Sequence, residues 1–211
     1  MIFIEVIAVK GRLDPAERAR VARRLGSLAE LGGGSDGSQT QPGTAEVFRT
    51  MFQVVIHEPE VWVTGEELVT SADPARYVVR AYVPAPWRKD LSQVLITHVT
   101  RVLSEAGGGT PAEPAGAAAA RVQVHVLGVT EGSIGIGGEA RTSTDLVDML
   151  GAPYEADLAA GRAVRDPLCG VIIPLNEHAV TLEIAGTLYG FCCRGCRDAF
   201  LAKRDAEGVP V

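Results

Sequence analysis

The chain has 211 residues, 46% of them hydrophobic, a formal net charge of −6 and a pI near 5.3. That apolar content excludes global disorder, and the length admits a medium domain with a small one beside it. The acidic balance gives no electrostatic footprint for nucleic acid, and no basic cluster follows an apolar stretch to suit a membrane surface.

The first element is the apolar run Ile2 to Val9, which reads as a strand. It is short, contains Glu5 and lacks a basic start, so it fits neither a signal peptide nor a membrane span. The expected address is the cytoplasm, where thiols stay reduced. Gly11-Arg12-Leu13 then turns into a helix whose start is well marked: Asp14 at the N-cap, Pro15 at the first helical position and Glu17 completing a capping box. Val21, Ala22, Leu25 and Leu28 give that helix an apolar face. A Gly/Ser/Thr-rich stretch, Gly32 to Thr44, breaks the pattern. Extended runs follow at Met51–Ile56 and Val61–Glu67.

The pattern then repeats. Tyr77–Val83 is the second opening strand, and a helix from about Asp90 carries Leu91, Val94, Leu95, His98 and Val102 on one face. Gly107 to Ala120 is low-complexity Gly/Ala/Pro; Arg121–Val126 and Ser133–Glu139 follow. Phe52-Gln-Val-Val echoes Val122-Gln-Val-His, and Trp62-Val-Thr-Gly-Glu-Glu echoes Ile134-Gly-Ile-Gly-Gly-Glu. Two β-α-β units, each with parallel strands joined by a crossover helix, are expected to share one four-stranded sheet with both helices on one face.

This tandem pattern resembles the two-unit form of the tautomerase superfamily over residues 1–140. The resemblance implies a homotrimer and a general base at an amino-terminal proline, a secondary amine suited to moving protons at neutral pH. Residue 2 here is Ile, and Pro74 before the second copy is internal, so its nitrogen is an amide. The proline chemistry is therefore not expected, and no catalytic residue is assigned in the leading reading. Met1, through its α-amine, and Arg12, which matches a substrate-binding arginine by position, are the catalytic candidates of an alternative enzyme reading. His57, His98 and His125 read as surface or packing residues.

Thr144–Leu150, capped by Ser143 or Thr144, and Tyr154–Ala163 read as short helices in a connector spanning 141–164. The remainder, 165–211, holds all four cysteines of the chain. Clustered thiols in a reducing compartment are more often metal ligands than disulfides. Twenty-two residues separate Cys169 from Cys192, and three separate Cys192 from Cys196. Between them Ala179–Phe191 alternates around Ala185-Gly186 as a hairpin, and Arg194–Lys203 is a short helix. A knuckle, a hairpin and a helix can converge three sulfurs on one point.

Asp166-Pro-Leu-Cys-Gly170, Gly186-Thr-Leu-Tyr189 before Phe191-Cys192, and Cys192-x3-Cys196 followed by Arg-Asp-Ala-Phe-Leu resemble the YHS domain of the TRASH group of metal-trafficking and metal-sensing modules. The likeness covers about 165–205. It implies Cys169, Cys192 and Cys196 as metal ligands. Val171 replaces the usual Met and Cys193 the usual small polar residue. Cys193 or His178 is the candidate fourth ligand. Three thiolates suit Cu(I) or Zn(II) and disfavour Mg or Ca. The expected protein is α+β: a tautomerase-like tandem β-α-β sheet carrying a cysteine-rich metal module for sensing, storing or delivering a soft metal. The alternative is a tautomerase-type isomerase or decarboxylase with structural zinc. The expected partners are the metal ion, a partner metalloenzyme and other copies of the chain, not nucleic acid or membrane.

Overall fold

The structure, a computed structural model, describes residues 1–31, 41–106 and 121–206. The chain divides into two compact units: Met1–Leu31 with Met51–Ile134, and Gly32–Thr50 with Gly135–Val211. The core of the Gly/Ser/Thr-rich break and all of the Gly/Ala/Pro stretch lie outside the described residues.

In the first unit, β1 (Ile2–Ala8), α1 (Pro15–Leu25) and a single-turn α2 (Leu28–Leu31) come first. The helix α3 (Pro42–Thr50) belongs to the second unit, and the chain returns to the first with β2 (Phe52–His57). A small hairpin, β3 (Val63–Thr64) with β4 (Glu67–Leu68), precedes β5 (Tyr77–Pro84), α4 (Arg88–Ala106) and β6 (Val122–Val129). The sheet runs β2-β1-β5-β6. Each β-α-β copy contributes a parallel pair, β1 with β2 and β5 with β6, and the copies join through antiparallel β1 and β5. The expected tandem architecture is the observed one.

Side chains alternate across a strand, and here the alternation is strict. Ile2, Ile4, Val6 and Ala8 of β1 and Tyr77, Val79, Ala81 and Val83 of β5 are all buried. Val21 and Leu25 of α1 and Leu95, Val99, Val102 and Leu103 of α4 complete that core. The opposite face, through Phe3, Glu5, Ile7, Val55, Arg80, Tyr82 and Leu127, is half-buried or exposed. Helix α1 starts as expected: the Asp14 carboxylate accepts the Glu17 N–H (2.7 Å), and the Glu17 carboxylate accepts the Asp14 N–H (3.4 Å). It ends sooner than the apolar spacing implies. Gly26 donates back to the Ala22 carbonyl, so Leu28 opens a separate turn.

The second unit holds α3 and, after a β7 (Ile134–Ile136) and β8 (Glu139–Arg141) hairpin, α5 (Ser143–Gly151), α6 (Glu155–Ala159), β9 (Ala163–Arg165), β10 (Ile172–Pro174), β11 (Val180–Ile184), β12 (Thr187–Phe191) and α7 (Arg194–Ala206). Three local expectations need correction. A helix, α3, replaces the tail of the Gly/Ser/Thr-rich break; Pro42 opens it, and Gly43 N–H donates to the Tyr154 hydroxyl (2.8 Å). The cap of α5 is Thr142 rather than Ser143 or Thr144: its hydroxyl accepts the Asp145 N–H while the Asp145 carboxylate accepts the Thr142 N–H at 2.7 Å. The second connector helix stops at Ala159, because Gly161 takes a φ of 71° and Ala163 begins a strand.

The β11–β12 hairpin turns at Ala185 and Gly186, both with positive φ (49° and 78°), as a two-residue hairpin turn demands. Gly190 in β12 has a different reason to be glycine. A β-carbon placed there would lie 2.5 Å from Val164 Cγ2, so the backbones of β12 and β9 approach only because no side chain intervenes. Phe200 of α7 packs on Tyr189 and Phe191 with ring centroids 5.1 and 5.4 Å apart. That contact fixes the helix bearing Cys196 against the hairpin that ends at Cys192.

Candidate metal centre

Three segments of the second unit meet at the cysteines. Cys169 lies in the turn between β9 and β10, Cys192 follows the end of β12, and Cys196 sits in the first turn of α7. Asp166 organises the first of these. Its side-chain oxygen Oδ1 accepts the N–H groups of Leu168 (2.8 Å) and Cys169 (3.3 Å), and its carbonyl accepts the Gly170 N–H (2.8 Å). The result is a tight knuckle in which Gly170 takes a φ of 80°. The other oxygen, Oδ2, accepts the Cys192 N–H at 2.8 Å. One carboxylate therefore ties the two cysteine-bearing segments together. Asp166 is 1% exposed, so those three N–H groups replace the water it has lost.

The sulfurs converge as the spacing implies. Cys192 Sγ lies 3.6 Å from Cys169 Sγ and 3.4 Å from Cys196 Sγ. One ligand atom from each of Asp166, Cys169, Cys192 and Cys196 lies within 4.8 Å of the others, a group that can hold a metal ion. With metal–sulfur bonds of about 2.3 Å, tetrahedral geometry puts sulfurs about 3.8 Å apart; the observed separations need only small adjustments.

Neither candidate fourth ligand belongs to that group. Cys193 Sγ touches Cys192 Sγ at 3.8 Å and accepts the Cys196 N–H at 3.4 Å, at the N-cap of α7. His178 is exposed and faces Glu177 (3.5 Å). Asp166 is the member that the spacing argument did not single out. Its signal was present in Asp-Pro-x-Cys, since an Asp before Pro commonly folds its carboxylate onto N–H groups two and three residues on.

The thiols share protons unevenly. Hydrogen bonds from Cys192 and then Cys196 lower Cys169; Cys192 and Cys196 likewise lower Cys193. Cys192, on whose sulfur the others converge, is raised, chiefly by its bond to Cys169. Burial raises Asp166, with the Cys169 charge adding to it and the Cys192 and Leu168 N–H groups opposing. A soft cation binds the thiolate form, so binding displaces the protons that these sulfurs share.

The first unit holds the other candidates. Burial lowers the Met1 α-amine to about 6. With Ile2, Phe3, Gln53, Tyr82 and Val129 it lines a cavity of about 440 Å³. Arg12 donates to the Ser71 carbonyl at 3.3 Å instead and is not among that cavity's lining residues. His57 lies 3.4 Å from Glu5 on the sheet face opposite the helices, and His125 is exposed there. His98 is 4% exposed within the core.

No protein-family profile and no curated protein sequence matches the chain. Solved structures similar to it include a member of the cis-3-chloroacrylic acid dehalogenase family, at 15% identity over 75% of this chain and 99% of that one, with a TM-score of 0.48. A fused 4-OT in a symmetric trimer is 17% identical over 66% of this chain and 94% of its own (TM-score 0.45). A macrophage migration inhibitory factor-like protein from Entamoeba histolytica is 10% identical over 66% of this chain and 97% of its own (TM-score 0.45). Among the described residues no helix is long and apolar enough to cross a membrane.

Proposed function

We propose that the chain is a metal-binding protein of a reducing compartment, the cytoplasm, in which the thiolates of Cys169, Cys192 and Cys196 hold a soft cation, Cu(I) or Zn(II), for sensing, storage or delivery. The observation that carries this reading is the convergence of the three sulfurs, 3.4 and 3.6 Å apart across Cys192, from a knuckle, a hairpin end and a helix start that one buried carboxylate ties together. The residue-level likeness of the same segment to YHS modules supports it. Asp166 acts as a positioning residue, since its oxygens already serve three N–H groups. The tandem sheet serves as an oligomeric scaffold, a homotrimer by its resemblance, displaying the module of residues 165–211 in several copies.

Elemental analysis of anaerobically purified protein tests the reading. One ion per chain is expected, lost in the triple variant Cys169→Ser, Cys192→Ser, Cys196→Ser; retention of metal by that variant defeats it.

A second reading has one observation of its own. A free Met1 α-amine held near pKa 6 beside an apolar cavity is an unprotonated base at neutral pH, suited to proton transfer on an enol or keto substrate. Enol–keto conversion of simple 2-hydroxydienoates, rising with pH through about 6 and lost when the Met1 α-amine is acetylated, would place this enzyme reading first.

A further inference from the structure

The cluster has four thiols, and their contacts form two triads rather than one. Cys192 and Cys196 are 3.4 Å apart and form a shared edge. Cys169 touches that edge through Cys192 at 3.6 Å, and Cys193 touches it through Cys192 at 3.8 Å. Cys196 adjoins both outer thiols as well: its sulfur lies within 4.8 Å of Cys169 Sγ, and its N–H reaches Cys193 Sγ at 3.4 Å. Among these contacts none joins Cys169 to Cys193. The two outer thiols also differ in how they are held. The backbone N–H of Cys169 is bound into the Asp166 knuckle. Cys193 instead caps α7: its sulfur accepts the Cys196 N–H at 3.4 Å and its carbonyl accepts the Arg197 N–H at 3.3 Å.

We propose that Cys193 is an exchange ligand, through which a cation resting on Cys169, Cys192 and Cys196 moves to Cys192, Cys193 and Cys196 on its way to a thiol-bearing acceptor. The proposal rests on the metal-binding reading of the same site. In the step, the Cys193 thiol gives its proton to water as its sulfur bonds the cation. The bond from the cation to Cys169 breaks, and the Cys169 thiolate takes a proton from water. One metal–sulfur bond forms and one breaks, one proton leaves and one arrives, and no electron moves. The cation keeps at least two thiolates throughout, because Cys192 and Cys196 belong to both triads. A three-thiolate site lacking that neighbour has to wait for the acceptor's own thiol to arrive before a ligand can be exchanged, which is slower.

The triads make an asymmetric prediction for single serine substitutions in the intact chain. Zn(II) is the probe, with affinity read by competition and release by stopped-flow transfer to a chromogenic dithiol chelator. Cys192→Ser and Cys196→Ser break both triads and lose the ion. Cys169→Ser retains it more weakly on the remaining triad. Cys193→Ser, whose hydroxyl can still cap α7, keeps one ion at unchanged affinity and releases it about tenfold more slowly. An unchanged release rate in Cys193→Ser overturns the proposal. So does loss of the ion in that variant, which would make Cys193 a standing ligand. If the unsubstituted chain takes up no Zn(II) or Cu(I) at all, the metal-binding reading itself fails and this one falls with it.

Discussion

Asp166 concentrates more of the candidate site than any single cysteine does. Three N–H donors from Leu168, Cys169 and Cys192 end on its carboxylate, all within 3.3 Å. Asparagine has the same shape but presents one acceptor oxygen and one amide donor. In Asp166→Asn, one N–H or another must therefore face a donor, and the knuckle and the hairpin end drift apart. Partners that orient metal ligands are typically worth 10–100-fold in affinity, so we expect Zn(II) binding to weaken by about that factor in a chelator competition. Undiminished affinity would reduce Asp166 to a packing residue. The three cysteines were legible because thiols clustered at metal-ligand spacing point to one kind of chemistry. Asp166 was less so, since a carboxylate before proline reads first as a turn and reveals its long-range partner, Cys192, only in three dimensions.

His98 shows the same limit and yields a pH dependence. Its apolar helical position marked it as a packing residue, and it is buried. The sequence could not show that its ring is wedged between two partners. Nε2 lies 3.4 Å from the Leu25 carbonyl, and Nδ1 faces the Arg101 guanidinium at 3.3 Å. The neutral ring with hydrogen on Nε2 satisfies both. Protonating Nδ1 sets a donor against a donor and a charge against a like charge. Burial lowers the His98 pKa, the Leu25 carbonyl raises it and Arg101 lowers it further. The unfolded chain therefore binds the proton more readily than the folded one, and His98 costs stability as pH falls below its unfolded value of about 6.5. Urea midpoints should drop between pH 7.5 and pH 5, and drop less in His98→Gln. Parallel curves for the two proteins would show that His98 is not the group responsible.

At the scale of elements, what was legible followed the periodicities. The strict alternation of β1 and β5, the helix start at Asp14 and the repeat of strand-helix-strand were all present as patterns, and the four-stranded sheet followed from them. What was not legible turned on single backbone groups. The Gly26 N–H closes α1 a turn early, Thr142 wins the α5 cap through Asp145, and α3 forms where Gly and Thr residues read as a break. Gly190 gives no local sign of its reason, which is the proximity of Val164 from a strand far back in the chain. Gly190→Ala puts a methyl group 2.5 Å from Val164 Cγ2 and forces β12 away from β9. We expect a loss of about 1–3 kcal/mol in the second unit, the usual range for overpacking. Pairing the change with Val164→Ala should recover part of it in a double-mutant cycle. A Gly190→Ala variant as stable as the parent would mean that β9 and β12 are not in tight contact.

At the scale of the whole molecule, the first unit has a sheet with one face closed by α1 and α4 and, on the other, side chains that are half-buried or exposed among the described residues. That second face is unlike an ordinary solvated surface. Phe3 stacks on Tyr82 with centroids 5.7 Å apart, and Glu5 pairs with both His57 (3.4 Å) and Arg80 (3.2 Å). Around them Val55 and Leu127 are 36% and 39% exposed on the two edge strands. Paired charges ringed by apolar side chains resemble the inside of an interface, where ion pairs fix register and apolar neighbours supply area. The proposed trimer gives this face its occupant. Because Val55 and Leu127 already meet solvent in the single chain, glutamate at either position costs the monomer little, whereas burying it unpaired between copies costs several kcal/mol. In Val55→Glu, Leu127→Glu the mass by light scattering should fall to that of one chain while the circular dichroism spectrum is kept. The sheet would then be intact and the association lost. A mass unchanged from the parent would place the contacts between copies on some other surface, and a parent that is itself a monomer would remove the trimer from the proposal altogether.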